Sequence, residues 1–237
     1  MPRTKGISKK LYIAIALLVV VCVVTAAIVY AATQPSPPKP AVTGVSVGDT
    51  FTYSIKGFST MYDTNVASPN GIIRYDFNQY NQTEYYKVTV TSINGTQVSL
   101  DIVWKFINGT EIPYKQTIDL SNGKKTDDKG FWLIYASNLN VNQMVRPSGF
   151  DGVYINSTDT RQYKDSVRQV NYFSIENEFM DYTDPTRSTY MDDIRDVNFD
   201  TQTGMVVSFI NYQQYNKPAM ALTITWTLTD SSVWAVQ

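Results

Sequence analysis

Three side-chain oxygens stand at alternate positions in Asp196-Val197-Asn198-Phe199-Asp200. That is the 1, 3, 5 spacing with which a calcium loop opens, because a hard cation takes its ligands from carboxylate and amide oxygens. Such a loop continues with glycine at its sixth position and a bidentate glutamate at its twelfth. This chain has Thr201 and Val207 there. Asp181, Asp184, Asp192 and Asp193 supply further carboxylates nearby. Ca2+ is therefore the cofactor the sequence raises, with Asp196, Asn198 and Asp200 as its ligands. The competing reading is a strand with an acidic face running into a tight turn, and the missing glycine and glutamate favour it.

A second chemistry is modification. Asn81-Gln82-Thr83, Asn94-Gly95-Thr96, Asn108-Gly109-Thr110 and Asn156-Ser157-Thr158 are four N-glycosylation sequons. In an exported chain each is an acceptor wherever it lies on an exposed loop. Asn94 and Asn108 also belong to Asn-Gly pairs, which explain themselves as turn residues.

Catalysis finds little support. The chain has no histidine, which removes the commonest general base and zinc ligand and every Ser-His or Cys-His pair. Its one cysteine, Cys22, lies in an apolar run. Ser121-Asn122-Gly123-Lys124 has the Ser-x-x-Lys spacing of penicillin-binding enzymes, but falls on an Asn-Gly turn instead of a helix start. No nucleophile elbow, phosphate loop, dinucleotide fingerprint or metalloprotease motif is present. The reading is a non-enzyme with no catalytic residue. A carboxylate pair for glycoside hydrolysis stays open, since spacing in space is invisible here. The 17 tyrosines and four tryptophans could stack on sugars or fill a sheet.

The elements that must position these residues begin with an anchor. Residues 11–32 are apolar and uncharged, with Thr25 mildly polar, long enough for a transmembrane helix. Tyr12 and Tyr30 stand near its ends, as interfacial tyrosines do. Arg3, Lys5, Lys9 and Lys10 precede it, so residues 1–10 read as a basic cytoplasmic tail and the remainder as extracellular. A cleaved signal peptide ending near Val29-Tyr30-Ala31 is one alternative. A second is the cleavage site of archaeal type IV pilin-like precursors, which Lys5-Gly6-Ile7-Ser8 resembles, although Lys9 and Lys10 interrupt the apolar stretch that should follow. Residues 33–43 form a proline-rich linker that acts as a stiff spacer.

Residues 44–237 read as one β-rich domain. The first forty residues hold five basic groups and no acid, and the whole chain is −1, which leaves the rest at −6. That balance argues against nucleic acid. Tyr85 to Ile93 alternates, Asn94-Gly95 turns, and Val98, Leu100, Ile102, Trp104 and Phe106 share one face of the next run. Asn108-Gly109 and Asn122-Gly123 bound a third strand. Phe131 to Val145 predicts a short helix or an irregular crossing, and Glu176 to Thr189, with Pro185, a loop or short helix. Tyr190 to Phe199 and Met205 to Tyr212 form a hairpin about Asp200–Gly204, and Ala219 to Leu228 closes the set. The expected fold is mainly β: a curled antiparallel sheet, sandwich or half-barrel with one or two short helices.

Val47-Gly48-Asp49-Thr50-Phe51, Asn138-Leu139-Asn140-Val141 and the Asp200-x-x-Thr203-Gly204 hairpin resemble archaeal cell-surface β-domains held on a single span. The later strands also resemble half-barrels of lipoprotein-carrier type. The resemblance spans most of residues 45–230, rests on turn motifs, and implies a surface location and no catalytic residues. The expectation is a membrane-anchored extracellular glycoprotein with a binding role. Its partners would be the bilayer and, outside the cell, surface proteins, glycans or a lipid-like ligand. The alternatives are a filament or surface-layer subunit joined by strand addition, and an extracytoplasmic hydrolase.

Overall fold

The computed structural model describes residues 18–25, 30, 40–61, 78–127, 131–217 and 219–236. The chain divides into two units, Met1–Pro37 and Pro38–Gln237. In the first, residues 18–25 are helical, with exposed Leu18, Val19, Val20, Val21, Val23 and Val24. Among the described residues no helix is long and apolar enough to cross a membrane. Most of the 11–32 span lies outside them, as do the 1–10 tail, the pilin-like site and residues 33–39 of the linker.

The second unit is built on one antiparallel sheet. Its strands are β1 (Thr50–Met61), β2 (Thr83–Asn94), β3 (Gln97–Phe106), β4 (Glu111–Asp119), β5 (Ser157–Gln162), β6 (Val167–Met180), β7 (Tyr190–Asp200), β8 (Val206–Asn216) and β9 (Ala219–Ser231). Their order is β4-β3-β2-β1-β9-β8-β7-β6-β5. Two meanders therefore meet where the first strand pairs with the last. The sheet is open, with β4 and β5 at its edges. Among the described residues it is a single sheet and not a sandwich of two. Among the described residues one short helix occurs, α1 (Asn78–Asn81).

Period-2 patterning decides which face is inner. Phe51, Tyr53 and Ile55 of β1 are buried, as are Tyr86, Val88 and Val90 of β2 and Val98, Leu100 and Ile102 of β3. Each such side chain contributes about 1.5–3 kcal/mol when fully withdrawn from water. Trp226 on β9 is buried, while Trp104 is half-buried and packs against the core with its Nε1 donating to Thr83 Oγ1 at 2.9 Å. The Asn-Gly turns lie where the sequence puts them. Gly95 and Gly109 have φ of +59° and +85°, a region an L side chain rarely enters.

Residues 131–156 carry no strand or helix and cross the inner face. Leu133, Ile134, Tyr135, Leu139, Val145 and Ile155 are buried there. The crossing is pinned to the β7–β8 turn, with Tyr135 N donating to Gly204 O at 2.9 Å and Val206 N to Leu133 O at 3.0 Å. Of the two forms predicted for Phe131 to Val145, the irregular one is correct. The loop expected from Glu176 begins five residues late. Glu176 to Met180 continue β6, because β7 offers partners in register from Ile194 to Tyr190. The domain also starts slightly before residue 44, since Ser137 N donates to Val42 O at 2.8 Å.

Candidate functional site

The crossing segment does not cover the whole inner face. Beyond it β7, β8 and β9 run on and leave an open cleft of about 220 Å³. The cleft lies between the main core and a small second cluster of Tyr215, Met220 and Leu222, and both clusters share Tyr80 and Ile224. Strand alternation aims Arg195 of β7, Asn211 and Gln213 of β8, and Ile224 and Trp226 of β9 to this side. The crossing segment adds Phe131 and Trp132, and α1 adds Tyr80. Asn81 fastens α1 to β1 by accepting from Gly57 N at 3.1 Å and donating to Gly57 O at 2.9 Å.

One wall is aromatic. Phe131 stacks on Phe209, with centroids 4.0 Å apart and planes at 14°, and meets Trp226 edge-on at 4.9 Å. Trp132 is held by its Nε1 donating to Gly123 O at 2.6 Å and by the Arg146 guanidinium 4.3 Å from its ring centre. These rings are fixed before any ligand arrives.

The other wall is polar and organised by Asp193, which is 1% exposed. A buried carboxylate is costly unless partnered. Asn211 Nδ2 donates to its Oδ1, and Gln213 Nε2 to the same oxygen at 3.4 Å. Its Oδ2 lies 2.6 Å from Arg195 Nη2, an ion contact that is not aligned as a hydrogen bond. Tyr215 donates to Gln213 Oε1 at 3.1 Å. The wall thus presents a guanidinium and the Asn211 carbonyl oxygen, with no net charge. Asp193 entered the sequence reading only as a spare calcium oxygen, and Arg195 not at all. The signal was parity: both share the strand face of Val197 and Phe199, so two charges point inward.

The chain matches no protein-family model and no curated protein.

The three oxygens with calcium-loop spacing lie on the strand that the sequence favoured over a loop. Asp196, Asn198 and Asp200 all lie along β7 and not in a loop. At about 3.4 Å per residue the first and last are separated by roughly 13 Å, too far for one ion. Asp196 accepts from Tyr172 OH at 2.8 Å. Asp200 is fully buried and takes both Arg168 Nε at 2.7 Å and Nη2 at 2.8 Å, with Thr203 N and Oγ1 at 2.7 Å. Asp181 and Asp184 are likewise engaged. Asp181 accepts from Thr183, and Asp184 from Thr186, Ser188 and Thr189. Those donors, Thr186 first, hold the Asp184 carboxyl well below the usual carboxylate range. Among the described residues no group of three His, Cys, Asp or Glu side chains could hold a metal ion.

The sequon asparagines Asn81, Asn94, Asn108 and Asn156 are all exposed, but they are not equivalent. Asn94 ends β2 at the edge of its hairpin turn, and Asn108 lies in the next turn. Asn81 spends its amide on Gly57, and its Thr83 is buried beneath Trp104. Asn156 directly precedes the edge strand β5 and accepts from Ser174 N at 3.3 Å. Ser121 Oγ donates to Asp119 at 2.6 Å within its turn, so the Ser-x-x-Lys pair is turn chemistry.

Proposed function

We propose that this chain is a membrane-anchored cell-surface glycoprotein whose extracellular domain binds a small molecule in the cleft of β7, β8 and β9, and that it is not an enzyme. The observation carrying this reading is a preformed concavity with fixed rings on one side and a net-neutral donor–acceptor pair on the other. Such sites, mostly apolar with a few convergent polar groups, are where small molecules bind. The anchor and the outside location rest on residues 11–32 and the basic residues before them. The sequons at Asn94 and Asn108 support the same placement. The mildly acidic domain fits no nucleic-acid partner.

Edge chemistry weighs against assembly by strand addition. Strand β4 carries Pro113, which cannot donate to a new ladder. Its far half is already paired, with Ile118 bridging Lys125 and Thr126 N donating to Thr117 O at 3.1 Å. Strand β5 is six residues long, polar, and abuts the Asn156 sequon. Short, charged and blocked edges are how sheets avoid pairing with other chains.

The test is a thermal-shift screen of small molecules against the full chain and against Ile224→Trp, which fills the cleft. Ligands that stabilise the parent and not the filled variant support the reading. A screen whose every hit persists in the filled variant removes the cleft from it. Protease added to intact cells should digest the domain; full protection would refute the outside placement.

A further inference from the structure

Asp193 decides what kind of molecule the cleft can take. It draws the amide nitrogens of Asn211 and Gln213 onto itself. Asn211 Nδ2 lies also 3.5 Å from Ile194 O, so both amide protons face the protein. The side of Asn211 left to a ligand is its Oδ1, an acceptor. Arg195 gives Nη2 to Asp193 and keeps its other guanidinium N–H groups, while more than a third of its side chain stays exposed. The guanidinium has five N–H donors, so one ion contact leaves most of them. The cleft therefore offers an acceptor and donors side by side on a wall of zero net charge.

That pattern sorts ligands. A carboxylate would gain from Arg195 but meet the Asn211 carbonyl and the Asp193 charge behind it. An ammonium would gain from the rings but meet Arg195. A hydrocarbon chain would strand Arg195 and Asn211 without partners, at the cost of a buried unsatisfied polar group. A hydroxyl is both donor and acceptor, so two neighbouring hydroxyls satisfy the guanidinium and the carbonyl together. The opposite wall is the ring of Phe131, backed by Phe209, and a sugar's C–H face can lie against such a ring. At about 220 Å³ the cleft is smaller than the roughly 300–1,000 Å³ of drug-sized pockets, which suits one ring and not an oligomer.

We propose that the cleft binds one ring of a neutral saccharide, its hydroxyls on Arg195 and Asn211 and its apolar face on Phe131. This rests on the cleft being the binding site. Asp193 is then a positioning residue, which orients both polar groups without touching the sugar. One ring buries few atoms, so dissociation constants fall in the millimolar range, about 1–10 mM.

Trp132 and Trp226 line the cleft and report on it by fluorescence. The experiment titrates the full chain, in a detergent without a sugar headgroup, with glucose, galactose, mannose and N-acetylglucosamine. Glucuronate, tetramethylammonium and decanoate are titrated separately as anionic, cationic and apolar probes. The expected result is saturable binding of at least one neutral sugar, at least tenfold weaker in Arg195→Lys, which keeps the charge beside Asp193 but loses the planar fork, and in Phe131→Leu. Melting temperatures of both variants identify any that have unfolded, and the other then decides. Binding of a charged or apolar probe alone, lost in Phe131→Leu, overturns the saccharide and keeps the cleft. Sugar binding unchanged in both variants, or no binding by any probe, overturns the saccharide and the cleft together.

Discussion

Replacing Arg168 with methionine tests the internal electrostatics of the domain. Arg168 is 8% exposed and Asp200 fully buried, joined by two parallel hydrogen bonds of 2.7 and 2.8 Å. The guanidinium also lies 4.2 Å from the ring centre of Trp234, which packs on Phe51. In Arg168→Met the Asp200 carboxylate keeps Thr203 N and Oγ1 but loses its countercharge. Breaking a buried pair from one side costs about 3–5 kcal/mol. For a domain of this size each kcal/mol moves the melting temperature by about 2–4 °C, so a fall of roughly 6–20 °C is expected. Adding Asp200→Asn to Arg168→Met removes the stranded charge and keeps an acceptor for Thr203. The double variant should therefore be more stable than Arg168→Met alone, with a coupling of at least about 2 kcal/mol. The assay is a double-mutant cycle by thermal and urea unfolding. Costs that add to within about 0.5 kcal/mol would show that the two side chains do not act as a pair, and would refute the reasoning.

Gly204→Ala should cost at least about 2 kcal/mol, because φ is +76° and the new Cβ would fall 2.0 Å from Tyr135 O. Gly95→Ala, equally left-handed but in open space, should cost about half as much in the same urea titration. The melting temperature should be the same in millimolar calcium and in chelator; a rise of several degrees abolished by Asp196→Ala would restore the metal site. Stability should be flat between about pH 5 and 8, since the chain has no histidine. It should fall as pH drops below the ordinary carboxylate value of 3.8. Asp184 is held low by hydrogen bonds, Thr186 first. Burial pushes Asp119 up, but hydrogen bonds from Ser121, Thr96 and Asn122 outweigh it. A carboxyl with a depressed folded pKa contributes stability above its unfolded value and loses it as pH falls through the folded one. Acid melting curves that stay level to pH 2 would contradict this.

Local pattern made much of the sheet legible. The β2-β3-β4 meander follows from alternation and three Asn-Gly pairs, and the β7–β8 hairpin from Asp200-Thr201-Gln202-Thr203-Gly204. What sequence pattern did not carry is pairing between distant segments. Glu176 to Met180 open an acidic stretch that holds Pro185 and so reads as loop or short helix, and only the partner strand makes them β. The cleft was invisible for the same reason, since Phe131 and Trp132 come from an irregular crossing and meet β8 and β9 only in three dimensions. Asp196, Asn198 and Asp200 have the spacing that opens a calcium loop, but the missing glycine and glutamate already favoured a strand with an acidic face, and β7 is that strand. A strand spreads the same residues over more than twice the diameter of an ion's coordination shell.

The pairing of β1 with β9 governs how the domain comes to exist. Each meander closes between neighbours in sequence, on the microsecond scale of hairpins. The seam that joins them is made by groups such as Thr229 and Thr52, which are 177 residues apart. Contacts of that separation raise contact order and slow folding. During synthesis β1 emerges early and waits, with one edge bare, until the last strand clears the ribosome. A chain stopped before Ala219 would hold two half-sheets with complementary open edges, and these would pair with other chains as readily as with each other. Folding of this domain therefore cannot be completed until β9 has been made, and its most aggregation-prone interval ends when β9 docks.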